Sequence, residues 1–115
     1  MIEFRLPWPP TLGKYYRCIH GKMIRSKAGR IYRDKVIELI DRYDMAYGIE
    51  TEVGMLIKLA PPMNGIFDAD NYNKAILDSL THAGFWKDDS QVGDLRVVKL
   101  PKYAMGEVYI EVWEI

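Results

Sequence analysis

The residues best equipped for chemistry cluster in one stretch, Phe67-Asp68-Ala69-Asp70-Asn71-Tyr72-Asn73-Lys74. In an extended chain residues i and i+2 point to the same side, so Asp68 and Asp70 are placed to offer two carboxylates to one cation. Mg2+ takes oxygen ligands and keeps several waters, so two or three carboxylates suffice. A helix starting near Asn71 sets Lys74 and Asp78 at i+4 and i+8 from Asp70, on roughly one face. An ammonium there suits a phosphate or a developing negative charge. Asp88-Asp89 is a second acidic feature, after Gly84-Phe85-Trp86-Lys87. A helix over 71–83 is about 20 Å long at ~1.5 Å per residue. Six loop residues span about that distance at ~3.3 Å each, so Asp89 reaches Asp68 and Asp70 if the loop runs back along the helix. The same residues also serve plain helix and turn design: Asp70 as an N-cap, Lys74 with Asp78 as an i, i+4 ion pair, Asp68 and Asp88-Asp89 as loop acids. His20 and His82 have no ligand-spaced partner; His82, near a helix end, is expected to serve that terminus rather than a metal. Phe85 and Trp86 read as core anchors. Tyr15-Tyr16, beside Lys14 and Arg17, is a candidate for contact with nucleic acid.

The charges around these residues are unevenly spread. Sixteen Lys+Arg and sixteen Asp+Glu give a net charge of zero, which at first sight argues against a nucleic-acid binder. Yet the first 50 residues hold ten basic and six acidic residues, and the remainder holds six basic and ten acidic. From Lys14 to Lys35 there are eight basic residues and one acid, Asp34; from Asp68 to Asp94 there are six aspartates against Lys74 and Lys87. A positive face beside an acidic pocket suits a protein that holds a polyanion and places a cation on it. Two solvated patches that neutralise each other across the fold are the competing reading.

The elements that must position these residues follow from pattern. At 115 residues with 49% apolar content, the chain fits one domain over 1–115 with a real core. No apolar run reaches the ~18 residues of a membrane span, the first residues lack the basic start and apolar run of a signal peptide, and the single Cys18 rules out an intrachain disulfide and a cysteine zinc site. A cytoplasmic protein is expected. Residues 1–7 read as a strand stopped by Pro7-Trp8-Pro9-Pro10, and residues 15–25 as a small hairpin turning at His20-Gly21. Ser26 is a candidate N-cap for a helix over 27–47, with Tyr32, Val36, Leu39, Ile40, Tyr43 and Tyr47 as its apolar stripe and Gly48 as its stop. Val53, Met55, Ile57 and Leu59 alternate in a strand over 52–60 ended by Pro61-Pro62. A helix over 71–83 stops at Gly84. Strands over 94–100 and 107–114 are expected to form a hairpin through Tyr103-Ala104-Met105-Gly106. The fold class expected is α/β (α+β), a mixed sheet with two helices.

The ordered set of motifs resembles the RusA family of Holliday junction resolvases over nearly the whole chain. It runs from Leu6-Pro7-Trp8-Pro9-Pro10 and Tyr15-Tyr16-Arg17 through Tyr32-Arg33-Asp34 to Asp68-Ala69-Asp70-Asn71 with Lys74 and Asp78. It is strongest at Ala83-Gly84-Phe85-Trp86-Lys87-Asp88-Asp89-Ser90-Gln91-Val92 and Arg96-Val97-Val98-Lys99. The resemblance implies a homodimeric, Mg2+-dependent endonuclease, with Mn2+ able to substitute, that cuts four-way DNA junctions symmetrically in recombination and repair. Many members come from phages or prophages, which places them in bacterial or phage-infected cells. By motif position it assigns the catalytic and metal-binding carboxylates to Asp68, Asp70 and Asp89 and the essential lysine to Lys74. Asp88 sits in the paired-aspartate motif, and Asp78 matches a family aspartate of structural character. The expected DNA contacts are Lys14, Tyr15, Tyr16, Arg17, Lys22, Arg25, Lys27, Arg30 and Lys74. Two departures stand out: Ile66 and Phe67 occupy positions where a family member carries arginines, and Thr11-Leu12-Gly13 replaces the asparagine that usually follows Pro-Pro. The grip on DNA is therefore expected to rest more on residues 14–35. Nucleases for flaps or forks, and a non-catalytic DNA-binding relative, remain the alternatives.

Overall fold

A computed structural model describes residues 1–115. In chain order the elements are β1 (Ile2–Pro7), α1 (Leu12–Tyr15), β2 (Tyr16–Ile19), β3 (Lys22–Arg25), α2 (Lys27–Arg42), β4 (Val53–Ala60), α3 (Asn73–His82), β5 (Val92–Lys99) and β6 (Glu107–Glu114). Short 3-10 turns at Ala69–Asn71 and Asp89–Gln91 flank α3. The main sheet has the order β1-β6-β4-β5, and β2 and β3 form a separate antiparallel pair. The fold is a mixed α/β domain, as the pattern of the sequence requires.

β4 organises the sheet. Val53, Met55, Ile57 and Leu59 are buried, the two-residue period of a strand with one face on a core. They meet Leu6 of β1 and Val108, Ile110 and Val112 of β6 in one cluster with Val36 and Ile40 of α2 and Ile76 and Leu80 of α3. β4 runs antiparallel to β6 and parallel to β5. A parallel pair needs a crossover connection, here supplied by α3. On the opposite face Trp113 lies flat against Gly54, where a Cβ would come within 2.3 Å of the indole.

Two expectations are corrected. β5 and β6 form no hairpin, because β4 lies between them. The 100–106 segment instead crosses the end of β4, with Leu100 N–H donating to Leu59 O at 2.8 Å and Tyr103 N–H to Pro61 O at 2.9 Å. Strands neighbouring a common third strand stand about 10 Å apart, beyond the reach of a tight turn. Secondly, α2 ends at Arg42 rather than near residue 47. Asp44 takes a left-handed conformation (φ 57°), Met45 N–H reaches Ile40 O at 2.8 Å, and Asp44 N–H reaches Asp41 O at 3.1 Å. These are the two bonds of a Schellman cap, with aspartate in the place usually taken by glycine. Tyr43 and Tyr47 consequently leave the apolar stripe and are largely exposed. At the other end Ser26 caps as expected, its Oγ accepting from Gly29 N–H at 2.9 Å. The hairpin turn also forms as expected, with His20 and Gly21 both at positive φ, the two central positions of a type I′ turn.

Candidate active site

The candidate acids come from two connections beside α3. β4 ends at Pro61-Pro62, and the following loop is anchored by Phe67, whose ring packs edge-on against Trp8 (6.0 Å) and Tyr72 (5.8 Å). Asp68 is extended (φ −83°, ψ 128°) and the chain then winds into the 3-10 turn, closed by Asn71 N–H donating to Asp68 O at 3.1 Å. Asp70 lies inside that turn, so the extended-chain premise for aiming Asp68 and Asp70 to one side does not hold. Both acids are exposed. α3 begins at Asn73, two residues later than expected, and neither the Asp70 carboxylate nor the Tyr72 side chain caps it.

The second connection brings Asp89 back along α3. Asp88 caps the turn that carries it: its carboxylate accepts from Ser90 N–H at 3.1 Å, and Gln91 Oε1 accepts from Asp88 N–H at 2.8 Å, a capping box. The hydrogen bond from Ser90 holds the Asp88 carboxyl below its usual range. Gln91 Nε2 fastens the turn to the stretch before β4, donating to Ile49 O at 2.8 Å and Thr51 O at 2.9 Å. Thus Asp88 serves the turn, and Asp89 is presented by it. Lys74 Nζ lies 3.3 Å from Asp89 Oδ2, so the loop after α3 brings Asp89 back to the first turn of that helix. Burial draws the Lys74 ammonium down, but Asp89 and Tyr16 outweigh it, and the group titrates above the ordinary lysine value.

Asp78 has a different setting. The residue is 9% exposed and takes two bonds from Arg25, Nε to Oδ2 at 2.8 Å and Nη2 to Oδ1 at 3.0 Å, plus one from the Tyr15 hydroxyl. Burial pushes the Asp78 carboxyl up, but the bonds from Arg25 and Tyr15 prevail and hold it below its usual range. Burial and the bond to Asp78 push the Tyr15 phenol up to about 12. Tyr15 is fully buried, so no ring face is open to a base and it leaves the set of DNA contacts. Arg25 leaves it too, since its guanidinium fork is committed to Asp78. His82, the last residue of α3, has its Nε2 in hydrogen-bond contact with Arg25 Nη2.

The remaining cations resolve the question of the two charge patches. Of the eight basic residues from Lys14 to Lys35, only Arg25 and Arg33 have an acidic partner. Lys14, Arg17, Lys22, Lys27 and Arg30, all exposed, form no ion pair. Arg25–Asp78 is the one pair joining the two segments, so the patches do not neutralise each other through direct ion pairs. Lys99, at the end of β5, closes the Arg96-Val97-Val98-Lys99 motif but was not among the expected DNA contacts. Its ammonium stands 4.8 Å from the centre of the Phe67 ring, next to Asp68, and restores a positive charge beside a loop that lacks arginines. β4 and β5 are parallel, so their C-terminal ends meet at the edge where open α/β sheets place ligands.

The candidate acids suit a metal in type more than in placement. The donors are all oxygens, which suits a hard cation such as Mg2+ and excludes a thiolate zinc site. Asn73 Oδ1, at the start of α3, is shielded from solvent and accepts no hydrogen bond, an unsatisfied acceptor of the type such a cation or a water uses. No three His, Cys, Asp or Glu side chains are gathered closely enough to hold one ion. Like charges repel, and Asp89 is instead engaged by Lys74. A surface hollow of about 840 Å3 lies between β1, α2 and residues 103–107, and none of these acids lines it.

Carboxylates and a lysine on an open edge, with a largely unpaired basic strip in the same chain, are groups suited to a polyanion more than to a small enclosed molecule. Comparison with known proteins makes this specific. Residues 7–113 match the family model for endodeoxyribonuclease RusA. The crossover junction endodeoxyribonuclease RusA of Escherichia coli (strain K12) is 40% identical over 109 residues, covering 95% of this chain and 91% of the relative. The enzyme of the same name from Enterobacteria phage 82 has the same identity and coverage. That of Escherichia coli O139:H28 is 39% identical over 110 residues, covering 96% and 92%. The chain belongs to the RusA endodeoxyribonuclease family.

Proposed function

We propose that this chain is an endodeoxyribonuclease that resolves four-way DNA junctions, working as a homodimer that makes two symmetric incisions in an Mg2+-dependent reaction. The observation that carries the reading is the Lys74–Asp89 pair at 3.3 Å beside the Asp68–Asp70 turn, in a chain 40% identical over 95% of its length to crossover junction endonucleases. Asp68, Asp70 and Asp89, which are not gathered about one point in the free chain, would have to draw together on the cation, which when bound supplies Lewis-acid stabilisation of the phosphate and a more acidic water. Lys74 sets a positive charge where negative charge grows on the scissile phosphate or its leaving oxygen. Lys14, Arg17, Lys22, Lys27 and Arg30 hold the arms through their phosphates, and Lys99 supports the backbone near Asp68. Tyr16 is half-buried and lies near enough to feel the charges of Lys74 and Asp89, at the border of the site. A two-fold dimer matches a two-fold substrate, so each protomer cuts one strand. A cruciform-bearing supercoiled plasmid tests the pairing: two cuts within one binding event give linear product directly. Nicked circles accumulating first would overturn paired incision, and preference for flaps or forks over junctions would move the activity to another branched DNA.

A further inference from the structure

The β2–β3 hairpin is small, and it stands outside the main sheet. Its base is stitched by Ser26, whose N–H donates to Tyr15 O at 2.9 Å and whose Oγ donates to the same oxygen at 3.2 Å. Beyond the base, the polar ties between the hairpin and α3 run through Arg25, which bonds both carboxylate oxygens of Asp78 and the Nε2 of His82, with Tyr15 completing the carboxylate's partners. The register fixes what this tie orients. Tyr16 pairs with Arg25 and shares its face, while Arg17 pairs with Ile24 and Ile19 with Lys22. Partners in an antiparallel pair share a face and successive residues alternate. Arg25 and Tyr16 therefore face α3, and Arg17 and Lys22 face away from it as exposed cations without acidic partners.

We propose that Asp78 and Arg25 are positioning residues: their ion pair locks the β2–β3 hairpin onto α3, which sets Tyr16 beside Lys74 and Asp89 and holds Arg17 and Lys22 in place for DNA phosphates. The inference rests on the nuclease reading for its DNA partner, but the lock itself is a property of the free protein. The pair is well suited to the task. A bidentate guanidinium–carboxylate contact fixes direction as well as distance, and side-chain exposures of 26% and 12% shield it from salt. It also gives Asp78 a role distinct from metal binding, despite its place one turn after Lys74.

Two measurements on Arg25→Gln and Asp78→Asn test this. In free protein, amide hydrogen exchange across residues 16–25 should quicken relative to β4, with the core protected as before. Junction affinity, measured by titration in Ca2+ or without metal at several salt concentrations, should lose the contribution of Arg17 and Lys22. Each phosphate contact contributes about 0.9 to the slope of log affinity against log salt. The slope should therefore fall by up to about 1.8, a loss of roughly tenfold at low salt that narrows as salt rises. Arg17→Ala combined with Lys22→Ala should give the same slope change with no quickening of exchange, and Arg25→Lys should recover part of both. Unchanged hairpin exchange in a folded Arg25→Gln protein would overturn the lock. So would a slope reduced by only about 0.9 with normal exchange, since Arg25 would then be a direct phosphate contact. Should Asp78→Asn fail to fold, the half-exposed Arg25→Gln carries the test. Wild-type protein that shows no preference for junction over duplex would count against the junction reading, while the exchange arm would still decide the lock.

Discussion

Replacing Lys74 with alanine should separate stability from activity. Lys74 and Asp89 lie 3.3 Å apart, with side-chain exposures of 48% and 26%. Two unit charges at that distance attract by about 1.3 kcal/mol in water before salt is counted. Screening, and the entropy lost in ordering a lysine chain, reduce such exposed pairs to about 0–1 kcal/mol. Lys74→Ala should therefore lower stability by only about 0.5 kcal/mol, or roughly 2 °C in Tm for a domain of this size. Loss of one preorganised charge at a developing oxyanion has a far larger effect, about 10²–10³ in rate. The assay is single-turnover cleavage of a pre-bound four-way junction in Mg2+, with thermal melting and junction binding measured on the same preparation. Lys74→Arg keeps the charge but alters its shape, and should fall between wild type and Lys74→Ala. A Lys74→Ala rate within threefold of wild type would refute the role given to the lysine. A large rate loss accompanied by a Tm drop of more than about 5 °C would show instead that Lys74 acts through folding.

Three further outcomes follow from the packing and the charges. Tyr15→Phe removes a buried donor to a carboxylate and should lower stability by roughly 1.5–3 kcal/mol in urea unfolding; an unchanged midpoint would show that the hydroxyl contributes nothing. Because the folded Asp78 carboxyl is held below its ordinary value of 3.8, its contribution is complete above that value and is lost as pH falls through the lower folded-state value. Asp78→Asn should flatten the acid limb of the stability profile, and equal acid sensitivity in both proteins would contradict the linkage. Gly29→Ala should destabilise by about 1–3 kcal/mol despite the better helix propensity of alanine. The new Cβ would lie 2.2 Å from Tyr15 O, and a rise in Tm would show that α2 shifts freely.

Much of the fold was legible because it rests on local periodicity. The alternation Val53, Met55, Ile57, Leu59 is buried as read, Ser26 caps α2, and Gly84 (φ 79°) ends α3. What escaped was set by tertiary pairing. Nothing local tells that β4 separates β5 from β6, so two strands seven residues apart looked like a hairpin. The end of α2 was missed because aspartate rather than glycine takes the left-handed position at residue 44. In the site, length allowed Asp89 to come back to Asp68 and Asp70; the structure brings it to Lys74 on α3 but gathers no three acids about one point. The paired aim of Asp68 and Asp70 was not legible, since it assumed an extended chain where a 3-10 turn forms. Tyr15 and Arg25 looked like DNA contacts because composition shows charge and aromaticity but not direction; both turn inward to Asp78. The zero net charge concealed a basic strip that stays largely unpaired, a feature visible in the order of the charges and decided only by their partners.

The most direct test of the account is metal-dependent cleavage of a synthetic four-way junction, with linear duplex of the same sequence as control and Asp70→Asn beside the wild type. The account predicts Mg2+-dependent incision of the junction by wild type, little cutting of duplex, and junction binding without cutting by Asp70→Asn. Equal cleavage by Asp70→Asn in Mg2+, or wild-type protein that binds the junction and never cuts it in Mg2+ or Mn2+, would contradict it.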